Sequence, residues 1–118
     1  MSDFEKNYQL AQQYFEEQKY REAENLYLKL LNLMPDGCAD ICNHLGFIKH
    51  QAGDLEEAIT YFKRALEINP HYTEAALNLV IAYNDTQQYE AASSVFLQAA
   101  AEARRDAGAV EKIDPFLK

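Results

Sequence analysis

The sequence predicts an all-α protein: an α-solenoid of three helix-turn-helix units followed by a short C-terminal tail or helix. Three observations carry this. The stretch Gly53-Asp54-Leu55 to Asn69-Pro70 reads as an amphipathic helix with marked ends, and stretches like it occur 35 residues earlier and 34 residues later. The segment preceding each copy repeats as well. The chain of 118 residues, 48% hydrophobic, is one domain's worth and holds three units, about the number a stacked array needs for a continuous core.

Ser2-x-x-Glu5 is a capping-box pattern and starts the first helix. Leu10 and Tyr14 mark the buried face of that helix, and they align with Leu45 and Lys49 in the second unit and with Leu79 and Tyr83 in the third. Ala11, Gly46 and Val80 fill the slot after the leucine. Tight turns at Gln18, Gly53 and Gln87 then lead into the second helix of each unit.

The second helix of the middle unit is the clearest. Asp54 is its predicted N-cap, with Glu57 three residues on completing a second capping box. Leu55, Ala58, Ile59, Phe62, Ala65 and Leu66 form one apolar stripe at spacings of three and four. Pro70 ends the helix, because proline removes a backbone donor and pushes Asn69 out of the helical region. Ala58 matches Ala23 and Ala92, and Phe62 matches Tyr27 and Phe96. The extra residue of the longer period falls in the Asp36-Gly37-Cys38 turn. The units therefore span about 4–38, 39–72 and 73–106 of a single domain, with a C-terminal extension over 107–118. The last long helix is predicted to run from about Tyr89 to Arg105 and to stop near Gly108. Asp114-Pro115 reads as the start of a new helix. Val110, Ile113, Phe116 and Leu117 then leave an apolar face, which points to self-association or to a chain that is the N-terminal piece of a longer array.

These residues resemble the tetratricopeptide repeat family. The middle unit carries Leu45-Gly46, Gly53, Ala58, Phe62, Ala65 and Pro70 at the family's offsets and departs at Cys42, Lys49 and Leu55. The resemblance covers about residues 4–105. It implies a right-handed solenoid in which the first helices of successive units line a concave groove.

The net charge is −8 and the pI about 4.8. This balance argues against nucleic acid, whose phosphates need Lys and Arg, and against an anionic membrane surface. It permits a partner with apolar or basic residues, and equally a surface that is simply solvated. "MSDFEKNYQL" carries neither a basic start nor an apolar run, so the expectation is a cytoplasmic protein with its own N-terminus. Cys38-x3-Cys42, with His44 and His50 behind, has a metal-like look, but on a helix His44 points away from the two cysteines. Cys42 also sits in a packing slot, where cysteine acts as a small hydrophobe. The sequence therefore assigns no metal and no cofactor. Nucleophile elbows, phosphate loops and His-Glu-x-x-His are absent, and no enzyme is expected.

At 100° per residue, the side of each first helix opposite the buried stripe carries Glu5, Tyr8, Gln9, Gln12 and Glu16 in the first unit. It carries Asp40, Asn43, His44 and Phe47 in the second, and Glu74, Leu77, Asn78 and Ile81 in the third. The candidate peptide-binding groove is thus Tyr8, Gln12, Asn43, His44, Phe47, Leu77, Asn78 and Ile81. Tyr8, Phe47, Leu77 and Ile81 form an apolar strip flanked by Glu5, Asp40, Glu74 and Asp85. The family's carboxylate-gripping groove uses Lys, Asn, Asn, Lys and Arg at places that here read Tyr8, Gln12, His44, Glu74 and Asn78; no cation remains, so that specificity is not expected. His44 and His50 are read as unpaired surface histidines. The expected function is a non-enzymatic adaptor. The alternatives are a self-assembling scaffold module and, within the adaptor class, a protein resembling the bacterial secretion chaperones.

Overall fold

The computed structural model describes the backbone of residues 1–113 and the side chains of residues 1–106. Over this span it holds six helices and no strand: α1 (Asp3–Glu16), α2 (Tyr20–Asn32), α3 (Ala39–Gln51), α4 (Leu55–Ile68), α5 (Thr73–Asp85) and α6 (Tyr89–Ile113). Each helix packs on the next in the chain, and α3 also touches α5 directly. The result is an all-α solenoid.

One local device sets the pairing three times. The residue that reverses the chain lies in the left-handed region at Gln18 (φ 62°), Gly53 (φ 85°) and Gln87 (φ 61°). After each, an amide donates to the carbonyl five residues back: Lys19 to Tyr14 at 2.8 Å, Asp54 to Lys49 at 2.9 Å and Gln88 to Tyr83 at 2.8 Å. These bonds satisfy carbonyls that a helix end leaves without partners. Glycine takes the conformation freely at Gly53, whereas the two glutamines hold it under strain.

The first capping box forms in part, with Ser2 Oγ accepting from the Glu5 amide at 3.2 Å. The second does not form. Asp54 occupies the N-cap of α4 but makes no side-chain cap bond. Glu57 turns outward instead and pairs with Lys49 at 3.2 Å, and Lys49 also reaches Glu24 at 3.4 Å. One ammonium thus ties α2, α3 and α4 together at the position where the family prefers an aromatic ring. Burial pushes Lys49 down, but hydrogen bonds and charge from Glu57 and Glu24 outweigh it and hold the ammonium above its usual range.

The core changes character along the array. The first junction is built from large side chains, Tyr27, Leu30, Ile41, Leu45 and Ile48, with Ala11 and Ala23 between them. Further along, small residues take over: Ala58 and Ala82 beside Phe62 and Leu79, then Cys42, Ala65 and Ala75. Small side chains let helix axes approach closely. Gly46 is the extreme case, since a Cβ built there would lie 2.5 Å from the Phe62 ring. Cys42 is fully buried and its burial raises the thiol pKa.

Two readings of the ends are corrected. Leu10 does not define a buried face. It is 38% exposed while Leu45 and Leu79 are buried, because a preceding repeat covers those two and no such repeat lies over Leu10 among the described residues. Ala11 is the buried residue of α1. Gly108 does not end the last helix, since α6 runs through it to Ile113. A helical glycine costs only about 1 kcal/mol relative to alanine, and Ala107 and Ala109 flank it as strong helix formers. Residues 107–113 therefore continue α6 rather than beginning a separate extension. Val110 and Ile113 lie on α6 with side chains outside the described residues. Phe116 and Leu117, and the helix start read at Asp114-Pro115, also lie outside them.

Candidate functional site

The candidate groove residues lie on α1, α3 and α5, which are joined side to side by polar and aromatic contacts. Between α3 and α5 runs a chain of hydrogen bonds. Tyr72 Oη donates to Asp40 Oδ1 at 2.7 Å, Asn43 Nδ2 donates to Tyr72 Oη at 3.4 Å, and Asn78 Nδ2 donates to Asn43 Oδ1 at 3.0 Å. Asn43 is only 2% exposed and is the one buried polar or charged residue among the described residues. A buried amide is tolerated when its nitrogen and its oxygen each have a partner, as here. Burial and then the bond to Asp40 raise the Tyr72 phenol well above the usual tyrosine range. At the far end of the same helices, His50 Nε2 meets Asp85 Oδ2 at 2.7 Å. His50 is therefore paired, not a free surface histidine.

Between α1 and α3 the join is aromatic. Phe15 sits edge-on to His44 with centroids 4.6 Å apart, and Phe47 packs on Phe15 at 5.3 Å and on Tyr20 at 6.0 Å. His44 stacks on Tyr27, with centroids 5.3 Å apart and planes at 6°. It too is half-buried rather than a surface group, and its Nδ1 is buried without a hydrogen-bond partner among the described residues. Tyr8 packs on Tyr27 at 6.4 Å and on Phe4 at 6.5 Å. Burial, followed by the charges of Asp40 and Cys38, pushes the Tyr8 phenol up to about 12.

The expected apolar strip thus divides. Leu77 and Ile81 stand free at 48% and 50% exposure. Tyr8 and Phe47 are half-buried and help to hold α1 and α3. Two depressions are lined in part by the groove residues. One, of about 210 Å³, is lined by Phe47, His50, Gln51, Phe62, Asn78 and Ile81. The other, of about 350 Å³, is lined by Phe4, Glu5, Tyr8, Gln9 and Gln12. The groove residues are therefore brought to one side of the array but not into a single pocket. Among the described residues, no group of three or more His, Cys, Asp or Glu is placed to hold a metal ion, and no helix is long and apolar enough to cross a membrane.

Sequence reasoning missed Tyr72, which lies in the loop before α5 and carries no repeat signal. It also missed Phe15, one position past the tyrosine that the repeat alignment picks out. A third omission is the outer face of the last unit. Phe96 is 55% exposed and Leu97 63% exposed, and with Val80, Asn84, Ala92 and Ser93 they line a further depression of about 350 Å³.

Six helices paired by the same turn, with side chains of alternate helices gathered on one side, define an α-helical repeat scaffold. The chain belongs to the tetratricopeptide repeat family: sequence profiles described as "Tetratricopeptide repeat" match residues 3–71 and 49–112. Among curated proteins it is 36% identical over 58 residues to the "Uncharacterized protein ycf37" of Pyropia yezoensis, a match covering 49% of this chain and 33% of that protein. In structure it is similar to MamA, with a TM-score of 0.82 at 21% identity over 89% of this chain and 61% of the other. It is also similar to the yeast Sti1 domain of a structure described as "TPR2B-domain:pHsp70-complex", with a TM-score of 0.76 at 20% identity over 92% and 88% of the two chains. At such identities these likenesses show the fold.

Proposed function

We propose that this protein is a non-enzymatic adaptor that seats a segment of a partner protein across α1, α3 and α5, on Tyr8, Gln12, Asn43, His44, Phe47, Leu77, Asn78 and Ile81. The observation that carries the reading is the exposure of Leu77 and Ile81 beside a fixed polar chain. Two large aliphatic side chains stand half in water next to amides whose positions are already set by internal bonds. Exposed apolar groups beside oriented hydrogen-bonding groups are the chemistry of a peptide site. The rim is acidic, with Glu5, Asp40, Glu74 and Asp85 exposed. The partner segment is therefore apolar with Lys or Arg. The yeast Sti1 domain is in complex with pHsp70, so the fold accommodates protein ligands. Glu74 stands here where the carboxylate-gripping members carry a cation, so a free C-terminus is not the ligand.

Selection of a random displayed peptide library on the purified chain tests this. The expected result is enrichment of sequences combining apolar residues with Lys or Arg, and at least a tenfold loss of their affinity on Leu77→Glu/Ile81→Glu. Both positions are exposed, so the variant keeps the fold. Absence of enrichment, or unchanged binding by the variant, overturns the proposal.

A further inference from the structure

The two ends of the array differ in what they expose. In the second and third units, four positions of the first helix face the unit before: Ile41, Cys42, Leu45 and Ile48 on α3, and Ala75, Ala76, Leu79 and Ala82 on α5. All eight are buried. The same positions on α1 are Lys6, Asn7, Leu10 and Gln13, three polar and all exposed. The first unit is closed by polar residues and does not accept another unit. The last unit is the reverse. Phe96 occupies the position of Tyr27 and Phe62, which are 0% and 1% exposed beneath the following helix, yet Phe96 is 55% exposed. Leu97 and Val80 extend this open face.

The internal joints state what such a face accepts. α4 is covered by the α5 residues Ala75, Leu79 and Ala82, with Ala76 buried beside them, an amphipathic helix with apolar residues at i, i+1, i+4 and i+7. Adding the 34-residue period gives Ala109, Val110, Ile113 and Phe116. The chain thus carries, one period on, the apolar pattern of the helix that its open face lacks. Its own α6 is continuous to Ile113. At about 1.5 Å per residue the 17 positions from Phe96 to Ile113 span roughly 25 Å along the axis, so the segment cannot lie on the Phe96 face of the same helix.

We propose that the Val80–Phe96–Leu97 face binds the 109–116 segment of a second copy of this chain, reciprocally, in a two-fold dimer. Each copy supplies one face and one segment. The assembly closes at two chains because the polar Lys6–Asn7–Gln13 end offers no further apolar surface.

Light scattering coupled to size exclusion over a micromolar concentration series gives the test. The full chain is expected to rise from 13.5 kDa toward twice that mass. Phe96→Glu, at an exposed position, and Ile113→Glu are each expected to remain monomeric where the parent is dimeric. An equimolar mixture of the two variants retains one intact face-and-segment pair and is expected to recover measurable heterodimer. A parent chain monomeric throughout overturns the proposal, as does a dimer unaffected by Ile113→Glu or by removal of residues 107–118. A mixture no more associated than either variant alone also overturns it.

Discussion

Gly46→Ala isolates the close packing on which the middle repeat depends. A Cβ at this position lies 2.5, 2.6 and 3.0 Å from Cε1, Cδ1 and Cζ of Phe62. Ordinary carbon contacts are about 3.5–4.0 Å, so the ring must retreat by about 1 Å. It has little room, because Phe62 is 1% exposed and packed among Ile59, Leu79 and Ala82. Overpacking of this kind costs about 1–3 kcal/mol. Replacing a helical glycine by alanine returns about 1 kcal/mol. A shift of about 1 Å against a ring with little room puts the overpacking in the upper part of that range, about 2–3 kcal/mol, so the net loss is about 1–2 kcal/mol, or about 4–8 °C in Tm for a chain of this size. Urea unfolding followed by circular dichroism measures it. A double-mutant cycle then assigns the cause: in a Phe62→Leu background the ring is gone, and the Gly46→Ala penalty is expected to shrink to about 0.5 kcal/mol or less. The reasoning is refuted if Gly46→Ala is as stable as the parent, or if its penalty is unchanged without the ring.

Further outcomes follow from the turns, the polar chain and the tyrosines. Gln18→Gly and Gln87→Gly relieve left-handed strain of about 1 kcal/mol and are each expected to raise stability by about 0.5 kcal/mol after glycine's entropic cost, read by urea unfolding; destabilisation contradicts the account. Asn43→Ala leaves the Asn78 and Tyr72 groups short of a partner and is expected to cost about 1–3 kcal/mol by the same measurement, whereas a neutral result shows that the chain of bonds contributes nothing. The pKa values of Tyr8, Tyr27 and Tyr72 are raised by folding. Their contribution is therefore fully present below the ordinary tyrosine value near 10 and is lost as pH rises toward about 12. Some tyrosinate absorbance is expected to appear only together with helix loss, and ionisation of all eight tyrosines near pH 10 with the helices intact argues against it.

Most of the scaffold was legible because repetition multiplies weak local signals. A positive-φ turn at glutamine is invisible in isolation, but Gln18 and Gln87 align with Gly53, and the period reveals them. Pro70 and the leucine row placed the helices closely for the same reason. What failed was whatever a repeat cannot encode. Leu10 looks like Leu45 and Leu79, and Phe96 looks like Phe62, but among the described residues no unit packs over either. Burial in an array depends on the adjacent unit, so identical patterns end in opposite environments. Glu57 fitted a capping box, yet an ammonium within reach took it instead, a competition decided by the tertiary position of Lys49. The groove was legible as a set of helix faces. Its division was not, because Phe47 leans on Phe15 and Tyr20 across a junction that helical periodicity does not see. The chain of bonds through Tyr72 depends on a loop residue with no periodic position.

The account's central claim is that α1, α3 and α5 present the binding face. Amide chemical-shift mapping of the isotope-labelled chain, titrated with a selected apolar, Lys- or Arg-bearing peptide, tests it directly. The expected result is a contiguous set of perturbed amides around Asn43, Phe47, Leu77, Asn78 and Ile81, with those of α2 and the outer face of α4 unmoved. Perturbation centred instead on Phe96 and Leu97, or on α2 and α4, contradicts the claim.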